Sequence, residues 1–239
     1  MQRFYFEALE SSDDSVTIKN PDLLNQLIKV LRVRTWDEII FFNWVDDIDY
    51  IYKIISIDKR EVYLEKQWYL ENNSEIDFDI NIINSIPNKL EKIELILQKW
   101  VEVGVSNFLF FRSNRSQKLV LSPNKIERLN RIIIEAVEQS WRSRIPEFTI
   151  VDDLDIWAFS WANNIIFHTQ NSESISLKDL DLNKSQDINI FVWPEWWFDQ
   201  EEIDIFTSYW FKKVYLWNRI LRTETTWFSS AFYIIQNSL

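Results

Sequence analysis

Two stretches decide how this chain is read: Phe191-Val192-Trp193-Pro194-Glu195-Trp196-Trp197-Phe198 and Leu216-Trp217-Asn218-Arg219-Ile220-Leu221-Arg222-Thr223-Glu224-Thr225. Each starts where a short apolar run ends, at 188–192 and 213–216, and each leads into a helical pattern, at 200–209 and 223–237. Strand, loop and helix in that order is the texture of a parallel sheet with covered faces, and ligands of such sheets sit in the loops after the strand ends. Neither loop is a phosphate cradle. A P-loop needs a Gly-Lys-Ser/Thr ending and a dinucleotide fold needs Gly-x-Gly-x-x-Gly, and neither pattern is present even if every Trp here is read as Gly.

That substitution is prompted by composition. Ordinary glycine usage predicts on the order of 17 in a chain of this length. The sequence has one, Gly104, beside 13 tryptophans. Tight turns and close backbone approaches need residues without a Cβ, so one glycine is too few for most folds. The tryptophans fall where glycine belongs: Trp36 and Trp44 flank the apolar run 39–42, and Trp141 follows a long helical pattern where glycine would end the helix. Trp193, Trp196 and Trp197 put three indoles in one short loop. The reading is that UGA has been translated as Trp in a lineage that reads it as Gly. The alternative is a real Trp-rich stacking face, whose members should cluster on one face and not occupy turn after turn.

Outward from the two loops, the same alternation fills the second part of the chain. Strands are expected at 78–85, Asn107–Phe111, 164–168, Ile188–Val192 and 213–216, and helices at 89–103 and Pro123–Ser140, the latter with Ser122 as N-cap and Pro123 at the first helical position. The first part reads differently. Short β runs at 3–7, 38–43, 49–57 and 61–67, broken by one helical stretch at 21–31, predict a small barrel-like domain, and the polar run 71–75 predicts a linker. The expected division is a β-barrel over 1–72 and an α/β domain over 76–239.

A length of 239 residues, 46% of them apolar, excludes a disordered chain. No apolar run is long enough to span a bilayer, and the acidic start predicts no secretory signal, so a cytoplasmic protein is expected. With no cysteine and only His168 as histidine, disulfides, thiolate metal sites and multi-His metal sites are excluded. A net charge of −11 argues against nonspecific coating of nucleic acid. Between residues 85 and 146, however, 11 Lys or Arg face 6 Glu and no Asp, so one segment could meet an acidic polymer or simply be a solvated helix face.

With Trp193, Trp196, Trp197 and Trp217 read as glycine, the two opening stretches resemble the cofactor loops of the RsmE-type RNA methyltransferases of the SPOUT class, Gly-Pro-Glu-Gly-Gly-Phe and Leu-Gly-x-Arg-Ile-Leu-Arg-x-Glu-Thr-Ala. Further matches follow in order: Met1-Gln2-Arg3-Phe4, Lys29-Val30-Leu31-Arg32-Val33, Gln98-Lys99 with Glu102-Val103-Gly104-Val105, Arg112-Ser113-Asn114-Arg115-Ser116, and Glu138-Gln139-Ser140-Trp141-Arg142-Ser143-Arg144-Ile145-Pro146. The resemblance spans nearly the whole chain, and its mismatches fall on Trp where the family has Gly. It implies an α/β SPOUT trefoil-knotted domain after a PUA-like β-barrel, a homodimer, no metal, and S-adenosyl-L-methionine as cofactor. The implied activity is methylation of N3 of one uridine in 16S ribosomal RNA, with the small ribosomal subunit as partner. The cofactor residues it implies are His168, Val192, Trp193, Pro194, Glu195, Trp196, Trp197, Leu216, Trp217, Ile220, Leu221, Arg222 and Thr223.

Uridine N3–H is a weak acid, so such a reaction needs a base, a cation for the forming anion, and close positioning. Arg222 is the candidate cation, with Glu195 or Glu224 as base. Arg222 could instead brace the knot through an ion pair, Glu195 could hold a structural hydrogen bond, and Glu224 could be a helix N-terminal carboxylate stabilised by the dipole. Arg32, Arg34, Arg112, Arg115, Arg142 and Arg144 are candidate RNA-phosphate ligands, because guanidinium pairs with phosphate in bidentate fashion; solubilisation is the plainer role for each. A SPOUT enzyme acting on another RNA and a noncatalytic RNA-binding or ribosome-assembly factor are the competing functions. Indoles literally present in the loops would point to an inactive methyltransferase.

Overall fold

The computed structural model describes residues 1–87, 89–112, 119–159, 163–167, 174–183, 185–192, 205–209, 211–216, 221 and 223–237, with the backbone alone at 157, 223, 224 and 227. Two compact units result, one of Met1–Glu75 with Val137–Ile145, the other of Ile76–Ala136 with Pro146–Leu239.

In the first unit five strands, β1 (Gln2–Tyr5), β2 (Ser15–Ile18), β3 (Glu38–Phe42), β4 (Ile48–Ile57) and β5 (Val62–Glu71), pair in the order β1-β3-β4-β5-β2. Only β1 and β3 run parallel. Pairing stops at β1 and β2, and two register shifts between β4 and β5 bend the sheet as bulges do, so the expected barrel-like domain takes the form of a curled five-stranded half-barrel. Alternate side chains enter one core of Phe4, Ile18, Leu27, Phe41, Tyr52 and Leu64. Helix α1 (Pro21–Asn25) is capped by the Asn20 side chain, which accepts from the Asp22 and Leu23 amides, and continues as a π turn at Gln26–Val30. The extra residue in that turn is why the expected single helix over 21–31 splits in two.

Val137–Ile145 joins this sheet through buried charge. Arg3 Nε donates to Asp49 at 3.0 Å and its NH1 to the Val137 carbonyl at 3.3 Å, with the guanidinium 3.6 Å from the Phe42 ring centroid. Burial lowers the Arg3 pKa, opposed by the hydrogen bond and charge of Asp49. Glu75 accepts from Arg142 Nε at 3.1 Å and NH2 at 2.8 Å and from the backbone amides of Ser143 and Arg144. Asn72 and Ser74 both donate to the Trp141 carbonyl. The run expected to be a loose linker is thus tied down at three of its residues.

The second unit is built on a seven-stranded sheet, every pairing of which is parallel: β6 (Ile80–Ser85), β7 (Asn107–Phe111), β8 (Glu147–Val151), β9 (Asn163–Phe167), β10 (Ile175–Ser176), β11 (Ile188–Val192) and β12 (Lys212–Tyr215), in the order β10-β12-β9-β11-β6-β7-β8. Strand β11 is buried along its whole length, as a strand covered on both faces must be. On one face α2 (Leu90–Val103) lays Trp100 on Phe108, ring centroids 5.7 Å apart, and packs against α4 (Thr223–Gln236). The 18-residue α3 (Pro123–Ser140) joins this layer through the Arg128–Glu94 ion pair to α2. On the other face Phe206 and Phe211 close over Ile83, Ile166 and Phe191. Among the described residues no helix is long and apolar enough to cross a membrane.

Candidate functional site

The parallel sheet sets the site by its register. Strands β12, β9, β11 and β6 are consecutive neighbours, so their carboxyl ends lie side by side along one edge. Phe167 ends β9 just before His168, Val192 ends β11 just before Trp193, and Leu216 follows β12 just before Trp217. The two loops singled out in the sequence therefore leave the same edge of the sheet, beside the position after β9.

Two helices start at that edge. Helix α2 leaves the carboxyl end of β6 and ends at Gly104, which closes it with φ +108°. A Cβ built on Gly104 would lie 3.3 Å from Ile235 Cδ1 near the end of α4, so the two helices finish together and both present their N-termini to the ligand edge. Their dipoles place positive partial charge there. Lys89, the N-cap of α2, makes no side-chain capping hydrogen bond.

The asparagine side chains of this sheet, buried or half-buried, divide by position. Near its amino edge Asn107 Nδ2 donates to Asn81 Oδ1 at 2.7 Å, Asn81 to Asn189 at 2.9 Å, Asn189 to Asn164 at 2.9 Å, and Asn164 to the Phe159 carbonyl at 2.6 Å. One amide ladder thus crosses β7, β6, β11 and β9. Near the carboxyl edge Asn84 is wholly buried, and neither its Nδ2 nor its Oδ1 has a partner. In register it lies between Val192 and Phe110, two side chains that cannot hydrogen-bond. Leaving such groups unpaired costs about 1–3 kcal/mol each. Nothing in the sequence distinguishes Asn84 from the ladder asparagines except its place as the fifth residue of β6, and so it was missed.

Of the expected cofactor residues, Val192 is buried at the end of β11, Leu216 and Leu221 are half-buried, and Thr223 opens α4. His168, Trp193, Pro194, Glu195, Trp196, Trp197, Trp217, Ile220 and Arg222 lie outside the described residues. Glu224 is the second residue of α4 and its side chain is not described. Of the expected RNA ligands, Arg32 and Arg34 are exposed on the first unit, where Arg144 is also exposed and stands 3.5 Å from Asp47. Arg112, after β7, pairs with the exposed Asp152 at 2.8 Å, and Arg115 lies outside the described residues. Arg142 requires correction: it is buried and committed to Glu75, so its guanidinium serves the fold and does not face phosphate. Lys99 and Glu102 form the i,i+3 ion pair that their spacing suggests. Among the described residues no cluster of His, Asp or Glu is arranged to hold a metal ion.

Among the described residues, two tryptophans have left-handed backbones. Trp36, φ 80°, is the third residue of a turn closed by the Asp37 amide on the Arg34 carbonyl at 3.1 Å, the place glycine takes in a type II turn. Trp141, φ 64°, follows α3, and the Arg142 amide reaches back to the Val137 carbonyl at 3.2 Å, the 6→1 bond of a Schellman cap whose C′ residue is usually glycine. Trp100, by contrast, is 1% exposed and fills the α2 side of the core.

Residues 74–235 match the family model for the RNA methyltransferase domain. The ribosomal RNA small subunit methyltransferase E of Buchnera aphidicola from Acyrthosiphon pisum is 32% identical over 205 residues, covering 82% of this chain and 78% of that protein. Its namesake from Bacillus subtilis is 25% identical over 244 residues, 94% of this chain and 92% of that one. Among solved structures, the Neisseria gonorrhoeae ribosomal RNA small subunit methyltransferase E bound to S-adenosyl methionine superposes with a TM-score of 0.85 at 24% identity, covering 99% of this chain and 98% of that one. A Legionella pneumophila methyltransferase in complex with the same cofactor gives 0.83 at 25%, covering 99% and 97%. Two units of this build, the loops at one sheet edge and relatives matched along most of their length leave one assignment: the chain belongs to the RsmE-type family of RNA methyltransferases.

Proposed function

We propose that the protein methylates N3 of one uridine in 16S ribosomal RNA, with S-adenosylmethionine bound at the carboxyl edge of the parallel sheet. The observation that carries the reading is the convergence of the ends of β9, β11 and β12, next to the wholly buried and unpartnered Asn84, at the edge where two helix N-termini point. An enclosed carboxamide with both polar atoms free fits a polar small molecule held inside the protein, and a cavity lined only by apolar groups would not need one. The cofactor, when bound, supplies an electrophilic methyl group. The chain's own tasks are to remove the N3 proton, hold the anion and align N3 with that methyl. Arg222 is assigned the cationic task and Glu195 or Glu224 the proton.

Exposed Arg32, Arg34 and Arg144 and half-buried Arg112 are the proposed phosphate ligands, with Arg115. They give a net acidic protein its local attraction for RNA. A homodimer is supported by the outer side of the α2 and α4 layer, where Leu95, Phe228 and Phe232 are exposed and the two phenylalanine rings stack with centroids 6.4 Å apart. Assembly in the cytoplasm with the small ribosomal subunit completes the proposal.

The native residues at Trp36 and Trp141, and at 193, 196, 197 and 217, are proposed to be glycine, from UGA codons. The left-handed backbones at Trp36 and Trp141 support this, because a bulky aromatic is strained there and glycine is not. Peptide mass spectrometry on protein from its own host reads these residues directly; tryptophan at 193, 196 and 197 removes the proposal. For the function, calorimetric titration of S-adenosylmethionine into the chain as written and into a form with glycine at 36, 141, 193, 196, 197 and 217 is the test. Binding by the glycine form, followed by methyl transfer to small-subunit RNA at uridine N3, is the expected result. Binding by neither form leaves the noncatalytic RNA-binding factor as the better account.

A further inference from the structure

We infer that Asn84 is a cofactor-binding residue, its carboxamide pairing with a donor and an acceptor that lie side by side on S-adenosylmethionine; the inference rests on the methyltransferase reading above. Asn84 is 0% exposed, and both of its polar atoms lack a partner. Its place is the ligand edge: the fifth residue of β6, in register with Val192, after which the first of the two loops begins. By strand alternation it shares a face with Ile82, whose register neighbour Phe108 carries the Trp100 ring, so it lies on the α2 side, under the helix layer whose N-termini point to this edge. The contrast within the sheet gives the argument its force. Asn163, Asn164 and Asn189, equally enclosed, each have partners, through Asn183, the Phe159 carbonyl or one another. The fold therefore satisfies buried asparagines where only structure is at stake and leaves one open where a ligand is expected.

A primary carboxamide offers a donor and an acceptor about as far apart as those on one edge of adenine, or as the amino and carboxylate groups of an amino acid. S-adenosylmethionine carries both. The uracil imide has a similar pattern, but a carboxamide on that edge would cover N3, which must face the methyl group. The target base is thereby excluded as the partner.

The test uses Asn84→Leu and, should that variant pack poorly, Asn84→Ala, in whichever of the two forms above binds the cofactor. Calorimetry with S-adenosylmethionine, S-adenosylhomocysteine and adenosine is combined with cofactor-free thermal melts. The expected result is affinity for both full-length ligands weakened about tenfold or more, the loss of one or more hydrogen bonds, with a cofactor-free Tm equal to or above that of the parent. A parallel loss for adenosine places Asn84 at the adenine edge; adenosine unchanged places it at the amino-acid end. Undiminished affinity for S-adenosylmethionine overturns the inference and leaves the methyltransferase reading intact. A lower cofactor-free Tm in both variants also overturns it, by assigning Asn84 to the framework. Failure of the parent to bind S-adenosylmethionine is a different result, which removes the methyltransferase reading and this inference with it.

Discussion

The two edges of the seven-stranded sheet solve the same problem in opposite ways. At the amino edge a row of asparagines, Asn107, Asn81, Asn189 and Asn164, links four strands, each amide donating a hydrogen bond to the next and the last to the Phe159 carbonyl. Such a ladder works only in one register, so it fixes the order of the strands as well as their stability. At the carboxyl edge, Asn84 on the same strand as Asn81 is buried with nothing to bond. One edge has spent its polar groups on the fold, and the other holds one back. Regular structure favours the first arrangement, and the second persists only where something besides stability is selected.

The largest effect expected from this contrast lies on the amino side. Trp100→Ala, which empties the space between α2 and Phe108, should lower stability by about 3–5 kcal/mol, read as a shift of the denaturant midpoint. Asn189→Ala comes next. It leaves the Asn81 donor and the Asn164 acceptor stranded, and the cost should be about 2–4 kcal/mol. If Asn189→Ala is neutral, the ladder is incidental and the contrast loses one side. Asn84→Leu should go the other way by about 1–2 kcal/mol in the cofactor-free protein, so the sign of two asparagine substitutions on one sheet decides whether its edges differ. A destabilised Asn84→Leu would make them alike.

Much of this was legible in the chain. The bounds of β7, β11 and α3 follow from their apolar runs and from Ser122 and Pro123, and the site edge follows from where β11 and β12 end. The strands that sequence reasoning missed, β2, β8 and β10, share one property: each is the outermost strand of its sheet. An edge strand is short and buries less, so the alternation that marks a central strand is weak in it. The membership of Val137–Ile145 in the first unit was not visible either, because it depends on Arg3 reaching Val137 and Arg142 reaching Glu75, across 134 and 67 residues of sequence. The same long-range pairing is what withdraws Arg142 from the RNA-binding set. Composition marks an arginine as basic, and only the fold decides whether its charge is already used.

The smallest expected effect tests whether all unmet local requirements have one cause. Asn84 is unsatisfied because of where it sits, and its strain should survive any change elsewhere. Trp36 and Trp141 are strained for another reason: the backbone is left-handed and the residue is not glycine. Left-handed backbone costs a residue with a Cβ about 1–2 kcal/mol, while glycine loses roughly 0.5–1 kcal/mol more in chain entropy on folding. Trp141→Gly should therefore stabilise the protein by only about 0.5–1 kcal/mol, with Trp36→Gly similar. Both are exposed, so little packing is lost to offset the gain. Thermal melts of the two variants, alone and combined, measure it, and the two sites should add because they share no hydrogen bond in the fold. A clear loss of stability in both would mean that the indoles belong in these turns, and the case for glycine would then rest on the loops alone. A gain in both, against a steep loss in Trp100→Ala, would separate the tryptophans into those the backbone rejects and one that the core requires.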